Sequence, residues 1–420
     1  MLTKIVLAFF ALLGTPLFAL IAAIAILGFM SDGLDASLVA MEIHRLVDTP
    51  VLVSIPLFTF AGELMARSGT STRLVGFSRA LLGWMPGGLG IVTLAVCAAF
   101  TALTGASGVT IIALGALLYP SLVSEGYPEK FSLGLVTTSG SLGLLFPPAI
   151  PLILFGIIAR TDINNLFLAG ILPGSLMVLL LALWCVRQGV KSRIPLTRFS
   201  RAEVARTARL AAWELPLPLV VLGGIYSGYF AISEAAAVTA AYVLIVEVGI
   251  YKDVRLRDLA VVMRKSMTLV GGILIILAVS QASTNLLIDQ EVPQRLFEFV
   301  QGFITSKWTF LIVLNIFLLA LGAVLDIFSA TVLVVPLLLP IAAGYGVHPV
   351  HLGIIFLANM EIGYCTPPVG LNLFIASYRF KTPILTTCAA TLPFLGILAC
   401  VVLLITYVPA LSLWLPGLTP

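Results

Sequence analysis

Two stretches of this 420-residue chain place prolines where an apolar helix would otherwise run: "LLFPPAIP" at 144–151 and "YCTPPVGL" at 364–371. Proline removes a backbone donor and clashes with the preceding turn, so each stretch interrupts a helix. A break supplies carbonyl oxygens for a hard cation and a helix end for an anion. Gly143 and Gly363 each stand four residues before the first proline of their pair. Their carbonyls are expected to be freed by the break. Ser139, Ser141, Asn359 and Thr366 can add side-chain oxygens. Ser139, Pro147, Pro367 and Asn372 are the expected substrate contacts. Glu361 stays open between a cation, a proton and an amide.

Two apolar blocks, 88–122 and 308–343, are too long for one membrane crossing and too short for two. Each has a polar or glycine-rich middle, "TGASG" at 104–108 and "LDIFSA" at 325–330. Both read as re-entrant hairpins, which are tolerated only inside protein or against a cavity. A charge such as Asp326 costs about 2.5–3.5 kcal/mol at membrane depth on insertion scales, which marks it as functional by default. It has two readings: a cation ligand, or a carboxylate bonded to the amides of its own turn. Ser329 adds a hydroxyl beside it. The first tip offers Gly105, Ala106, Ser107 and Gly108, where small residues let backbone approach an ion. Its bland alternative is a tight turn between helices.

Membrane helices must position these residues. The chain is 60% hydrophobic and 10% charged, with a mean hydropathy of +1.14; soluble domains carry about 25% charged residues. Crossings are expected at 5–30, 48–66, 131–158, 166–186, 214–231, 233–250, 266–288, 351–378 and 384–409. The five cysteines lie in apolar runs and read as small core residues. His348 and His351 flank a helix start without metal-site spacing. No phosphate-cradling G-x-x-x-x-G-K-[ST], Ser/His, paired-Asp or zinc constellation is present, so ATP hydrolysis and intramembrane catalysis are not indicated. No basic patch with interleaved aromatics points to nucleic acid.

Charge orients the crossings. The linker 187–209 carries Arg187, Lys191, Arg193, Arg198, Arg201, Arg206 and Arg209 and is expected in the cytoplasm. Segments 67–79, 252–265 and the Arg379/Lys381 pair fall on the same side, while the acid-rich 31–48 and 289–307 face outward. This closes only if both blocks are hairpins, with the N-terminus inside and the C-terminus outside. Segment 67–86 reads as an interfacial amphipathic helix. Glu63 and Glu234, near span ends, read as salt-bridging or capping.

The two breaks lie 220 residues apart, and the same shift pairs Pro120 with Pro340, Gly126 with Gly346, Gly143 with Gly363 and Pro173 with Pro393. The chain therefore divides into a first unit, 1–186 (hairpin about 88–122, broken helix 131–158), a basic linker and unpaired span, 187–231, and a second unit, 232–420 (hairpin about 308–343, broken helix 351–378). The unpaired crossing inverts the second unit. Inverted repeats with discontinuous helices mark secondary transporters. The expected fold class is an all-α integral membrane protein with inverted-topology repeats, two re-entrant hairpins and two broken helices.

The motifs "IPLFTFAGELM" (55–65), "LGLLFPPAIPLILFG" (142–156), "GGIYSGYFAISEAAAV" (223–238), "LDIFSATVLVVPLLLP" (325–340) and "EIGYCTPPVGLNLF" (361–374) resemble the large membrane subunit of the tripartite ATP-independent periplasmic (TRAP) transporters over most of the chain. The resemblance implies a sodium-coupled importer of small organic anions with an elevator-type fold in the bacterial inner membrane. It also implies two partners, a small four-helix membrane subunit and a periplasmic substrate-binding protein, and sodium as coupling ion with no other cofactor. Asp326 stands where that family carries an acidic residue, which favours sodium there. A stand-alone divalent-anion/sodium symporter is the alternative within transporters. An ion channel is the alternative outside them, though the two tips differ, as distinct sites rather than a repeated filter would.

Overall fold

The computed structural model describes residues 9–10, 13–35, 37–194 and 199–418, and every regular element in them is helical. Residues 5–8 and 11–12 of the first expected crossing and Arg198 of the basic linker lie outside the described residues. The first unit holds α1 (Leu17–Ser31), α2 (Ser37–Val47), α3 (Ser54–Arg67), α4 (Thr70–Leu82), α5 (Gly88–Thr104), α6 (Ser107–Ala113), α7 (Gly115–Ser124), α8 (Glu129–Ser139), α9 (Ile150–Ala159) and α10 (Ile163–Lys191). Helices α11 (Arg201–Leu210) and α12 (Pro216–Tyr226) lead to the second unit. That unit holds α13 (Ile232–Leu244, prolonged as a π turn to Ile250), α14 (Leu256–Asp289), α15 (Val292–Phe303), α16 (Lys307–Val324), α17 (Ile327–Gly344), α18 (Pro349–Gly363), α19 (Leu371–Phe380), α20 (Ile384–Tyr407) and α21 (Ala410–Leu413).

The repeat shift carries α5 onto α16, α6–α7 onto α17, α8 onto α18, α9 onto α19, α10 onto α20 and the surface helix α4 onto α15. Helices α2 and α3 together correspond to the single 34-residue α14. Pro50, in the 3-10 turn Pro50–Val53, lacks the N–H that would join them into one helix. Among the described residues, seven helices, counting the Pro50–Val53 turn with α3 and the π turn with α13, are long and apolar enough to cross a membrane; they include both arms of the second hairpin, α16 and α17, so the expectation that 308–343 is too short for two crossings is corrected. Two bent pairs, α6–α7 (50°) and α8–α9 (43°), pass the same test together. The chain is an all-α integral membrane protein.

Segments expected to be loops are partly helical. Residues 31–48 contain α2, 252–265 open α14, and 289–307 contain α15. Their charges hide them from a hydropathy reading because such helices bury one narrow face. In α15 Arg295 and Glu298 are exposed while Leu296, Phe297 and Val300 pack on the core. The expected crossing 214–231 contains only the 11-residue α12, about 16 Å of helix, and residues 227–231 continue it as a turn.

Side-chain ties sort the connections onto two faces. On the basic face Arg73 of α4 pairs with Glu214 through Nε, with Glu247 through Nη2 (3.0 Å) and with Asp253 through Nη1 (2.6 Å). The Tyr251 ring lies 3.8 Å from its guanidinium carbon. Burial works against the Arg73 charge, but hydrogen bonds to Asp253 and Glu214 and the field of Glu214 and Glu247 hold its pKa above the usual value. This node binds the first unit to the linker and to the start of the second. On the acidic face Gln290 Nε2 donates to Asp32 Oδ2 at 3.0 Å.

Both hairpins close on their own face. Arg79 pairs with Glu125 across the ends of the first. Tyr345 Oη donates to Ile304 O at 2.5 Å, and Lys307 Nζ to Gly346 O at 2.8 Å, across the ends of the second. Glu63 pairs with Arg67 and Lys265, and Glu234 caps α13 by accepting from Ala231 N. Of the five free cysteines three are buried, but Cys400 is exposed, contrary to its reading as a core residue.

Candidate functional site

The two hairpin tips and the two breaks converge in the middle of the bundle. At the first tip Gly105 takes φ 65°, a left-handed turn that glycine adopts without penalty. A side chain there would strike Ile150 of the first broken helix. Ser107 Oγ donates to Asn372 Oδ1 at 2.8 Å, tying this tip to the second broken helix. The arms are held by Thr101 Oγ1, which contacts Thr110 Oγ1 at 2.6 Å and donates to Gly140 O at 2.8 Å.

At the second tip Asp326 caps α17. Its Oδ1 accepts from Phe328 N and Ser329 N, both at 3.0 Å. The turn-amide reading thus accounts for one carboxylate oxygen. Asp326 and Ser329 also line a cavity of about 250 Å³ between α17 and α14, which Thr268 and Gly272 close from the other side. The tip is fastened to the second break: Ile327 N donates to Tyr364 Oη at 2.6 Å, and Gly370 N to Ala323 O at 2.9 Å.

The breaks touch each other. Ser141 Oγ lies 3.4 Å from the carbonyl of Glu361, the residue it matches in the repeat. Cys365 Sγ reaches Thr137 O at 3.8 Å. Both Pro–Pro bonds are cis. The expectation that Gly143 and Gly363 offer freed carbonyls is corrected. Gly143 O accepts from Phe146 N at 3.1 Å and Gly363 O from Thr366 N at 2.9 Å. Their glycine identity has a packing cause. A Cβ on Gly143 would strike the backbone of Ala98 and Ala102 in α5, and one on Gly363 would come within 2.6 Å of Gly322 backbone in α16. Each break lies against the first arm of its own unit's hairpin.

The remaining candidates separate. Ser139 Oγ donates to Val136 O (3.3 Å) and Thr366 Oγ1 to Ile362 O (3.0 Å), so both hydroxyl protons serve their own helices. Asn359 Nδ2 donates to Asn315 Oδ1 at 2.7 Å, which also accepts from Thr406 Oγ1 at 3.2 Å. Asn359 Oδ1 and both carboxylate oxygens of Glu361 are buried without a hydrogen-bond partner. The amide reading of Glu361 therefore has no amide behind it. Pro147 is buried, which removes it from substrate contact in this conformation, whereas Pro367 is exposed. Sequence reasoning missed Thr101, Thr110, Asn315 and Tyr364. The available signal was a polar side chain inside an apolar helix, clearest at Asn315 in α16.

The family model described as "Tripartite ATP-independent periplasmic transporter, DctM component" matches residues 4–411. The C4-dicarboxylate TRAP transporter large permease protein DctM of Pseudomonas aeruginosa is 37% identical over 94% of this chain and 92% of its own. The isethionate TRAP transporter permease protein DctMQ of Oleidesulfovibrio alaskensis is 32% identical over 98% of this chain and 65% of its own. The crystal structure of the Alcanivorax borkumensis YdaH transporter shares the fold, with a TM-score of 0.60 at 14% identity over 88% of this chain and 90% of its own. The chain belongs to the TRAP transporter family as its large permease, DctM, component.

Proposed function

We propose that this large permease carries small organic anions inward by sodium symport, as an elevator in which the hairpins and broken helices move against a frame of α1–α4 and α13–α15. It works in the bacterial inner membrane with a small four-helix subunit and a periplasmic binding protein that delivers the substrate. The basic face is cytoplasmic on this reading. The observation that carries it is the meeting of two oxygen-bearing hairpin tips with two crossed breaks, where Asp326 Oδ1 is satisfied by the turn and a cavity lies beside the carboxylate. Hard cations take such oxygens, and a carboxylate balances the ion's charge. Asp326 and Ser329 form one sodium site with the second break, and Gly105, Ser107 and Ser141 contribute to another with the first. The exposed Pro367 faces the substrate, while Asn372, buried in this conformation, ties the second break to Ser107 of the first tip.

Uptake of a panel of carboxylates and sulfonates into proteoliposomes holding all three components tests this. Uptake should need inward sodium and loaded binding protein, without ATP. Transport unchanged in sodium-free buffer, with no other cation gradient, would exclude the symport. Uptake without any binding protein would favour the stand-alone symporter.

A further inference from the structure

We infer that the cavity between α2, α14 and the α9–α10 turn is a vestibule for small carboxylate anions on the outward face. The inference rests on the importer reading and adds a site to it. Arg45 and Arg160 line this cavity of about 500 Å³, with Glu42, Thr49, Thr161 and Gln281. That volume lies within the range of about 300–1,000 Å³ that small-ligand sites occupy. Two guanidinium groups against one carboxylate leave a net positive charge.

Neither arginine is committed elsewhere. Arg45 meets Glu42 at 3.3 Å with 77% of its side chain exposed, a loose surface pair. Arg160 makes no ion pair or side-chain hydrogen bond among the described residues. The planar fork of guanidinium matches a carboxylate through two parallel bonds.

Two further observations bear on Arg160 and its turn. Arg160 ends α9 at φ 50°, in the left-handed region. Glycine is the usual residue there, and an L side chain costs on the order of 1–2 kcal/mol. The repeat supplies the second. Its shift carries the α9–α10 turn onto the α19–α20 turn, where Arg379, Lys381 and Thr382 line a cavity of about 610 Å³ on the basic face. Lys381 is also left-handed, at φ 54°. Retention of positive charge inside explains the cations at 379 and 381. It gives no reason for Arg45 and Arg160 on the acidic, outward face. A carboxylate that must wait between frame and moving unit does.

The test uses the chain with its small subunit in phosphatidylcholine nanodiscs, a Thr161→Cys substitution and an anionic methanethiosulfonate reagent. The rate is read over that of the parent protein, whose Cys400 is exposed. Millimolar succinate should slow labelling severalfold, and gluconate should do the same because the vestibule reads the carboxylate. Choline chloride at equal ionic strength should not. Arg45→Gln with Arg160→Gln should abolish protection, and Arg160→Lys, which keeps the charge without the fork, should weaken it. Unchanged labelling in succinate overturns the inference. So does protection that appears only with phosphatidylglycerol, which makes this a lipid site, or only with the binding protein, which makes it a docking contact. Uptake is measured in parallel: organic-acid uptake without succinate protection sinks the vestibule alone, whereas no uptake of any organic acid sinks the importer reading.

Discussion

Pro147 and Pro148 are buried, and α9 beyond them is enclosed from Ile150 to Gly156. Pro367, Pro368 and Val369 are exposed, and α19 leaves Leu371, Phe374 and Tyr378 uncovered. Between 142–156 and 362–376 the two segments share only the glycine and the Pro–Pro pair, and their neighbours differ as well. Helix α9 is packed by α17, α10 and α18. The uncovered side chains of α19 stand at helical spacing along one face, from the break to the basic end. The tips differ in the same sense. Gly62 of α3 brings the frame against Thr104 at the first tip, so closely that a Cβ would come within 2.5 Å of Thr104 Cα. At the second tip a cavity separates α14 from Asp326. Two halves built on one pattern are thus closed and open at once. On the proposed importer reading, this is the asymmetry that alternating access requires, with the opening toward the basic face.

The widest contrast should appear in labelling. Val369→Cys should react with a water-soluble thiol reagent at least about 10-fold faster than Ala149→Cys, because reaction needs a solvent-reachable thiolate. Equal rates would mean that the halves do not differ in solution. Reversal of the ratio under sodium and loaded binding protein would capture the opposite state.

Asp326→Asn keeps an oxygen for the amides of Phe328 and Ser329, and Asn caps helices as well as Asp does. The protein should fold and insert. Its half-saturating sodium concentration should rise about 10-fold, equivalent to about 1.4 kcal/mol. A wild-type sodium curve, with normal amounts in the membrane, would reduce Asp326 to a cap.

Glu361 and its repeat partner Ser141 sharpen the comparison between breaks. Glu361→Met removes a buried carboxylate whose two oxygens have no partner. Exchanging buried ionic groups for packed apolar ones often stabilises by about 1–4 kcal/mol. A raised melting temperature together with lost uptake would show that stability is sacrificed for transport at this position; a lowered melting temperature would show a structural partner instead.

The smallest effect belongs to Ser107→Ala. It removes one neutral hydrogen bond to Asn372, about 1 kcal/mol, and should raise the sodium requirement only a few-fold. A loss as large as that of Asp326→Asn would place the dominant site at the first tip.

Hydropathy, proline placement and the 220-residue shift were enough to place the turns within 104–108 and 325–330 and the two breaks, because lipid forces every unpaired backbone group into protein or a cavity. Helices α2 and α15 escaped that reading since surface helices mix charge with a narrow apolar face. Within the candidate site, the sequence singled out Asp326, with its own turn amides as one reading, and Ser107 and Asn372, but not the bond between these two. The Ser107–Asn372 contact joins residues 265 positions apart, and no local propensity encodes such a pairing. The roles of Gly143 and Gly363 came out differently for the same reason: their need for glycine arises from the backbone of α5 and α16 passing close by. Composition and pattern determined a membrane transporter with two related broken helices, since burial of apolar surface and backbone satisfaction are local demands on each segment. Which break is sealed, which tip borders a cavity, and that Glu361 is left without a partner were settled only by packing between distant helices.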